Sequence, residues 1–163
     1  MSNRNGKAGG VAVEDIDLRI LQILSDDGRI SVASLAERVG ISRANAYARI
    51  ERMREAGIID GFAARINTER VGLGLTALIF LDVRSPARDE LNGPIRDLPG
   101  VEYCAFITGE HDVVLLVRAP DVATLREKIM VPLYAQPAVR STHTVMVLDE
   151  VIHRPYVLPN EHA

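Results

Sequence analysis

Apolar side chains recur at helical spacing along the first third of the chain. From Glu14 to Ser25 they form one stripe, and two shorter stripes follow on either side of a tight turn at residues 39–41. Ser31 and Ser42 stand where helix N-caps are expected, and Gly40 supplies the positive φ that ends a helix. The pattern therefore predicts three packed helices over residues 14–60.

The pattern changes to a two-residue period from residue 75 onwards. Segments 75–83, 101–107, 112–118 and 139–148 predict strands, and segments 87–98 and 122–135 predict helices. Their order, β-α-β-β-α-β, is that of a ferredoxin-like unit, in which both helices cover one face of the sheet. Because the first strand is apolar on both faces, a second copy of the chain is expected to cover the other face, which predicts a homodimer.

The remaining segments complete the predicted architecture. Residues 1–13 are glycine-rich and predict a flexible arm, and residues 152–163 form a tail beyond the second unit at 75–151. Residues 61–74 predict a linker that begins with a connecting strand, in which Phe62, Ala64 and Ile66 alternate. The fold class is α+β. Pro94, after Gly93, and Pro132 predict that one or both helices of the second unit are broken or short.

Composition excludes several classes of protein. Hydrophobic residues make up 47% and charged residues 25%, with a net charge of −3, which is an ordinary balance for a soluble protein. A lone cysteine, Cys104, excludes an intrachain disulfide and a CxxC metal site, and no apolar run is long enough for a membrane span. The four histidines lack zinc-ligand spacing, and no catalytic or phosphate-loop motif is present. We therefore expect a cytoplasmic protein that is not an enzyme and has no metal or cofactor.

The second and third helices have the build of a DNA-reading helix-turn-helix. Between Ser42 and Gly57 there are four arginines against two glutamates, in a chain that is acidic overall. Polar donors on the outer side of the third helix suit phosphates and base edges. The alternative is that any packed helical hairpin would show this pattern, with the charges forming a solvated face.

The chain resembles the Lrp/AsnC group of leucine-responsive, or feast/famine, transcription regulators over about residues 13–151. The matching segments are IDLRILQILSDDGRIS (16–31), LAERVGIS (35–42), RIERMREAGIIDGF (49–62), LPGV (98–101), CAFITGEHD (104–112) and VRAPD (117–121). The resemblance implies a helix-turn-helix domain, a connecting strand and an effector-binding ferredoxin-like domain. It also implies dimers that assemble further, often into octamers as tetramers of dimers, and control by an amino acid.

By position, the resemblance places the DNA-reading helix at residues 42–57. The residues implied to face the major groove are Ser42, Arg43, Asn45 and Tyr47. Arg49 and Arg52 are implied to hold phosphates. The alternative for these two is a solvated face with intrahelical pairs, such as Arg52 with Glu55.

The effector loop implied by the resemblance lies between two predicted strands. It comprises Thr108, Gly109, Glu110, His111 and Asp112, and the positions implied to complete the pocket between subunits are Phe106, Val122, Val145, Met146 and Val147. Asp112 or Glu110 can accept hydrogen bonds from the ammonium of an amino acid, while N–H groups around Gly109 can hold its carboxylate. The alternative is that Gly109 only turns a hairpin that Asp112 caps. His111 replaces the aromatic ring common in the family, which leaves the identity of the effector open.

Together these observations predict a DNA-binding transcription regulator whose assembly and DNA affinity respond to a small effector. Its expected partners are double-stranded DNA, further copies of itself and an amino acid or related molecule, with no membrane. The competing hypothesis is an architectural DNA-binding protein that does not respond to any effector.

Overall fold

The computed structural model describes residues 12–84, 88–151 and 158. The chain divides into two compact units, and the boundary lies between Arg65 and Ile66. Nearly all of the predicted arm and most of the predicted tail lie outside the described residues. Within the described part of the chain, no helix is both long and apolar enough to cross a bilayer.

The N-terminal unit contains the three predicted helices. They are α1 (Asp15–Asp26), α2 (Val32–Val39) and α3 (Arg43–Glu55). The Oγ atoms of Ser31 and Ser42 accept hydrogen bonds from the N–H groups three residues ahead, and Gly40 ends α2 at φ 80°. The apolar core comprises Ile20, Leu35, Ala36, Val39, Ala46, Ile50 and Met53. The predicted caps and buried stripes are therefore confirmed.

The predicted connecting strand does not form within the chain. Residues 61–67 lie in no strand, and only the short 3₁₀ turn Glu69–Val71 interrupts the segment before residue 75. Phe62 and Ile66 are exposed. Alternating apolar residues are not sufficient for a strand, because a strand also requires a hydrogen-bonded neighbour.

The C-terminal unit is a four-stranded antiparallel sheet with helices on one face. Its strands are β1 (Leu75–Val83), β2 (Val101–Phe106), β3 (Val113–Ala119) and β4 (Val139–Val147), in the order β2-β3-β1-β4. Helix α4 (Arg88–Arg96) joins β1 to β2. Helix α5 joins β3 to β4 and comprises Val122–Leu125, a π turn at Arg126–Met130 and Val131–Tyr134. This is the predicted ferredoxin-like arrangement.

The two faces of this sheet have different surroundings. On the helix-covered face, β1 and β3 bury Ala77, Ile79, Leu81, Val113, Leu115, Val117 and Ala119 against both helices. The opposite face, here called the open face, carries Leu78, Phe80, Val114, Leu116, His143 and Val145, which are half-buried or exposed. Apolar residues therefore occupy both faces, as the sequence predicts.

Both prolines lie inside helices that continue past them. Pro94 lies inside α4 and has no N–H to donate to the carbonyl of Glu90, one turn earlier. Because Glu90 is exposed, that carbonyl can bond to water instead. Pro132 follows the π turn, in which the Val131 N–H donates to the Arg126 carbonyl. The wider turn lets α5 continue past this proline, and the predicted shortening holds only for α4, which has nine residues.

Candidate DNA-reading helix and effector loop

Helix α3 buries one side and exposes a polar N-terminal half. Arg43, Asn45 and Tyr47 are exposed, and 58% of Tyr47 is accessible to solvent. The Ser42 Oγ accepts from the Asn45 N–H at 3.2 Å, which fixes the first turn. The four residues predicted to face the major groove therefore lie together on the surface at the start of one helix.

The structure places the guanidinium groups of Arg49 and Arg52 in ion pairs within the N-terminal unit. Arg49 donates to Asp17 at 2.9 Å and to Glu14 at 2.8 Å, and Arg52 donates to the second oxygen of Asp17. The alternative pair between Arg52 and Glu55 is not seen. Both guanidinium groups instead join α3 to the start of α1.

Asp17 is completely buried at the centre of this cluster. Burial by itself raises the pKa of its carboxyl group. Hydrogen bonds from the Glu14 N–H and from the Arg49 and Arg52 guanidinium groups outweigh burial and hold that pKa below its ordinary value. Asp17 is therefore an ionised side chain that is fully paired inside the unit, and it sets the position of α3 relative to α1.

Asp17 is not among the candidate site residues that the sequence predicts. The signal that could have found the cluster is its spacing, since Asp17 precedes the buried Ile20 by three residues and therefore lies on the inward stripe. An acid at an inward position requires a basic partner. Arg49 and Arg52, one turn apart on the third helix, were the candidates.

The predicted effector loop joins β2 to β3 and is held at its C-terminal end. The Asp112 N–H donates to the Leu81 carbonyl, and the Val83 N–H donates to the Asp112 Oδ2 at 2.8 Å. Gly109 adopts φ 127°, and nothing lies within 4 Å of the position that a Cβ atom would occupy. The Asp112 carboxylate thus binds the end of β1 and not the turn of its own hairpin, while the Gly109–Glu110 tip of the loop remains accessible.

A single chain does not assemble the complete predicted pocket. Phe106 packs against the core below the helices, whereas Val145 and Val147 lie on the open face and Val122 is exposed at the start of α5. Val145 pairs with Leu78, whereas the loop lies next to the pair of Leu81 and Val113. Leu78 and Leu81 are three residues apart along β1, so Val145 is about 10 Å from the loop. Met146 pairs with Ala77 and so lies on the face opposite to Val145. A pocket that includes all of these positions therefore requires a second subunit.

The strand residues nearest to the loop were not among the predicted site residues. His111 Nδ1 lies 2.9 Å from the Asp82 Oδ1, and Ser141 donates to the other oxygen of Asp82. The rings of His111, Phe80 and His143 form one cluster on the open face. Their proximity depends on the β1–β4 register, which sequence spacing alone does not define.

Both units match known protein families. Residues 13–60 match a family of winged helix-turn-helix DNA-binding domains, and residues 76–157 match the Lrp/AsnC ligand-binding domain. The chain is 37% identical over 142 residues to the HTH-type transcriptional regulator AldR of Mycolicibacterium smegmatis, covering 85% of this chain and 83% of that protein.

Solved structures give the same result. A feast or famine regulatory protein of M. tuberculosis, in complex with L-methionine, aligns with a TM-score of 0.82 and 30% identity, covering 91% of this chain and 100% of that chain. A transcriptional regulator of Neisseria meningitidis, also in complex with L-methionine, aligns with a TM-score of 0.81 and 28% identity, covering 90% and 96%. The chain belongs to the Lrp/AsnC family and is a DNA-binding transcriptional regulator with an effector-binding domain.

Proposed function

We propose that this regulator reads its operator through the N-terminal half of α3, with Ser42, Arg43, Asn45 and Tyr47 in the major groove. The observation that carries the proposal is the exposure of these polar residues on a helix whose other side is buried and ion-paired. A helix fixed in this way can present donors to base edges without first becoming ordered.

We assign Arg49 and Arg52 mainly to orienting the reading helix. A phosphate contact by either residue stays a prediction, and it would compete with the ion pair to the buried Asp17. Arg43 has no such partner among the described residues, so its charge is available to DNA. It is therefore our first choice for a direct base or phosphate contact.

Replacing Arg43 or Asn45 by alanine should weaken specific operator binding by about 1–3 kcal/mol, which is the range for losing a good base contact. The measurement is titration of labelled operator and of unrelated duplex, each at two salt concentrations. Arg126→Ala, which removes an exposed arginine from α5 in the other unit, is the charge-matched control. Operator affinity like that of the control for both α3 variants would contradict the assignment.

We propose that the open face of the sheet associates with a second copy of the chain in the cytoplasm, and that these dimers assemble further, as in an octamer. Four of its residues, Leu78, Phe80, Val114 and Leu116, are apolar and half-buried at the centre of the sheet. Burying them removes apolar surface from water, which favours association. The predicted effector positions, which one chain leaves apart, then have a second subunit to complete them.

We propose that the effector is an amino acid bound at the 108–112 loop. The L-methionine complexes of the two aligned regulators support this class of ligand. Asp112 uses one oxygen for the Val83 N–H, which orients the carboxylate and leaves the other oxygen for an ammonium group. The accessible Gly109–Glu110 tip offers backbone N–H groups for the ligand carboxylate.

Asp112→Asn should abolish the response to the effector and leave folding and basal DNA binding intact, because asparagine keeps an acceptor for the Val83 N–H but loses the negative charge. The matched control is Glu110→Gln, which removes another exposed carboxylate from the same loop and should have a smaller effect. The measurement is calorimetry against the twenty amino acids, followed by operator affinity and oligomer size with the ligand found. A wild-type response in Asp112→Asn would place the site elsewhere. No response of the wild type to any amino acid would favour the architectural alternative.

A further inference from the structure

Two histidines and a phenylalanine from three different segments meet on the open face. The ring centroids of Phe80 and His111 are 5.2 Å apart, and those of Phe80 and His143 are 6.4 Å apart. The two imidazole rings stack with an interplanar angle of 11° and a centroid distance of 6.1 Å. Two groups that can become cationic therefore lie about 6 Å apart on the open face, next to the apolar ring of Phe80.

One carboxylate is in direct contact with this pair. Asp82 accepts from Ser141 and lies against His111 Nδ1, and these two contacts, Ser141 first, lower the pKa of the Asp82 carboxyl. Asp82 is thus a negative charge that can balance a proton on His111. The imidazole of His143 makes ring contacts but no hydrogen bond to the other described residues, so a proton on this ring has no such counter-charge.

The other charged groups around the pair do not change this balance. Arg140, on the same strand as His143, adds positive charge and interacts with Asp82. Asp112 uses one oxygen for the Val83 N–H, and Glu110 is exposed at the loop tip. When both imidazoles are protonated, two positive charges about 6 Å apart share one contacting carboxylate.

Histidine ordinarily gains its proton between about pH 5 and pH 8, and a charge removed from water without a partner is costly. His143 pairs with Phe80 across β1 and β4, inside the face that we propose is covered by a second copy. We propose that His143 makes this association pH-dependent, so that two copies pair through the open face when His143 is neutral and separate when it is protonated. The inference rests on the proposed open-face dimer and adds a mode of control that acts without an effector.

The test is sedimentation of the full-length protein without DNA or amino acids at about pH 8 and about pH 5.5, where histidines change charge and most carboxyl groups do not. Each protomer that takes up one proton on separation contributes about a tenfold change in the dissociation constant per pH unit, so the two protomers together should raise the wild-type constant about a hundredfold for each pH unit over which the imidazoles are protonated. His143→Gln cannot be protonated and should change by less than about threefold over the same range.

Two further variants make the test specific. His143→Lys carries a permanent positive charge and should associate at about pH 8 as weakly as the wild type does at about pH 5.5. His162→Gln removes an imidazole from the tail, outside the described residues, and should retain the wild-type pH dependence. Circular dichroism at both pH values checks that every variant is folded.

These measurements distinguish the role of His143 from the existence of the open-face dimer. A wild type that associates equally at both pH values, or a His143→Gln variant that keeps the full pH dependence, overturns the role of His143 and leaves the dimer standing. A wild type that is monomeric at about pH 8 at micromolar concentration overturns both the open-face dimer and its control by pH. Association at about pH 8, loss at about pH 5.5 and pH-independent association of His143→Gln support the inference.

Discussion

Asp17→Asn is expected to lower the free energy of unfolding of the N-terminal unit by about 3 kcal/mol, because breaking a buried ion pair leaves its partners without their counter-charge. Two guanidinium groups depend on this one carboxylate, which is completely buried. Asparagine has nearly the same shape, so the effect isolates charge from packing. Operator affinity should fall as well, since only the Arg49–Glu14 ion pair then still joins α3 to the start of α1.

The control for this variant is Asp15→Asn, which removes an exposed acid from the same first turn of α1. It should cost only the interaction with the helix dipole, about 0.3–1 kcal/mol. Denaturant titration followed by helical circular dichroism gives the stability, and amide exchange over residues 15–55 assigns the loss to this unit. Equal stability of the two variants would contradict a structural role for the buried pair.

The pH dependence provides a second measurement of the same cluster. The pKa of the Asp17 carboxyl is lower in the folded chain than in the unfolded chain. Its ionisation therefore contributes stability above the unfolded value, about 3.9, and that stability is lost as the pH falls through the folded value. Asp17→Asn should flatten this acid limb of the stability curve, whereas Asp15→Asn should keep it.

Sequence reasoning succeeded where the determining interactions are local. The Ser31 and Ser42 caps and the turn at Gly40 each depend on residues within four positions, and all are observed. The β-α-β-β-α-β order also followed from periodicity, because an apolar pattern of two or 3.6 residues reflects which face is buried.

The features that the sequence did not reveal involve partners that are distant in the chain. Arg49 lies 32 positions from Asp17, so its pairing depends on how α1 and α3 cross. Among the residues that the structure describes, no strand pairs with the predicted connecting strand, and nothing in its own alternation can supply one. Two of the predicted effector residues, Val145 and Met146, are neighbours in sequence and lie on opposite faces of β4. The observed β1–β4 register shows that Val145 lies on the same face as Phe80 and that Met146 does not.

Gly100→Ala is expected to destabilise the C-terminal unit by about 3 kcal/mol or more, because the new methyl group meets a backbone atom that cannot move aside cheaply. Gly100 precedes β2 at φ 75°, and a Cβ at this position would lie 2.2 Å from the Arg118 carbonyl oxygen. Its own carbonyl accepts from the Arg118 N–H at 2.8 Å. Relieving the clash therefore breaks this contact and displaces a buried arginine that is paired with Glu102 and Glu150.

Gly72→Ala is the control that separates the steric clash at Gly100 from the cost of a positive φ. Gly72 lies in the same unit at φ 86°, but nothing is within 4 Å of the position that its Cβ would take. This variant should lower the free energy of unfolding by about 1–2 kcal/mol, which is the cost of placing alanine in the left-handed conformation. Thermal unfolding at one protomer concentration, which keeps any contribution from association equal, measures both variants. A Gly100→Ala variant no less stable than Gly72→Ala would show that β2 and β3 can separate at this point, and the close backbone approach would then not explain the glycine of the LPGV segment.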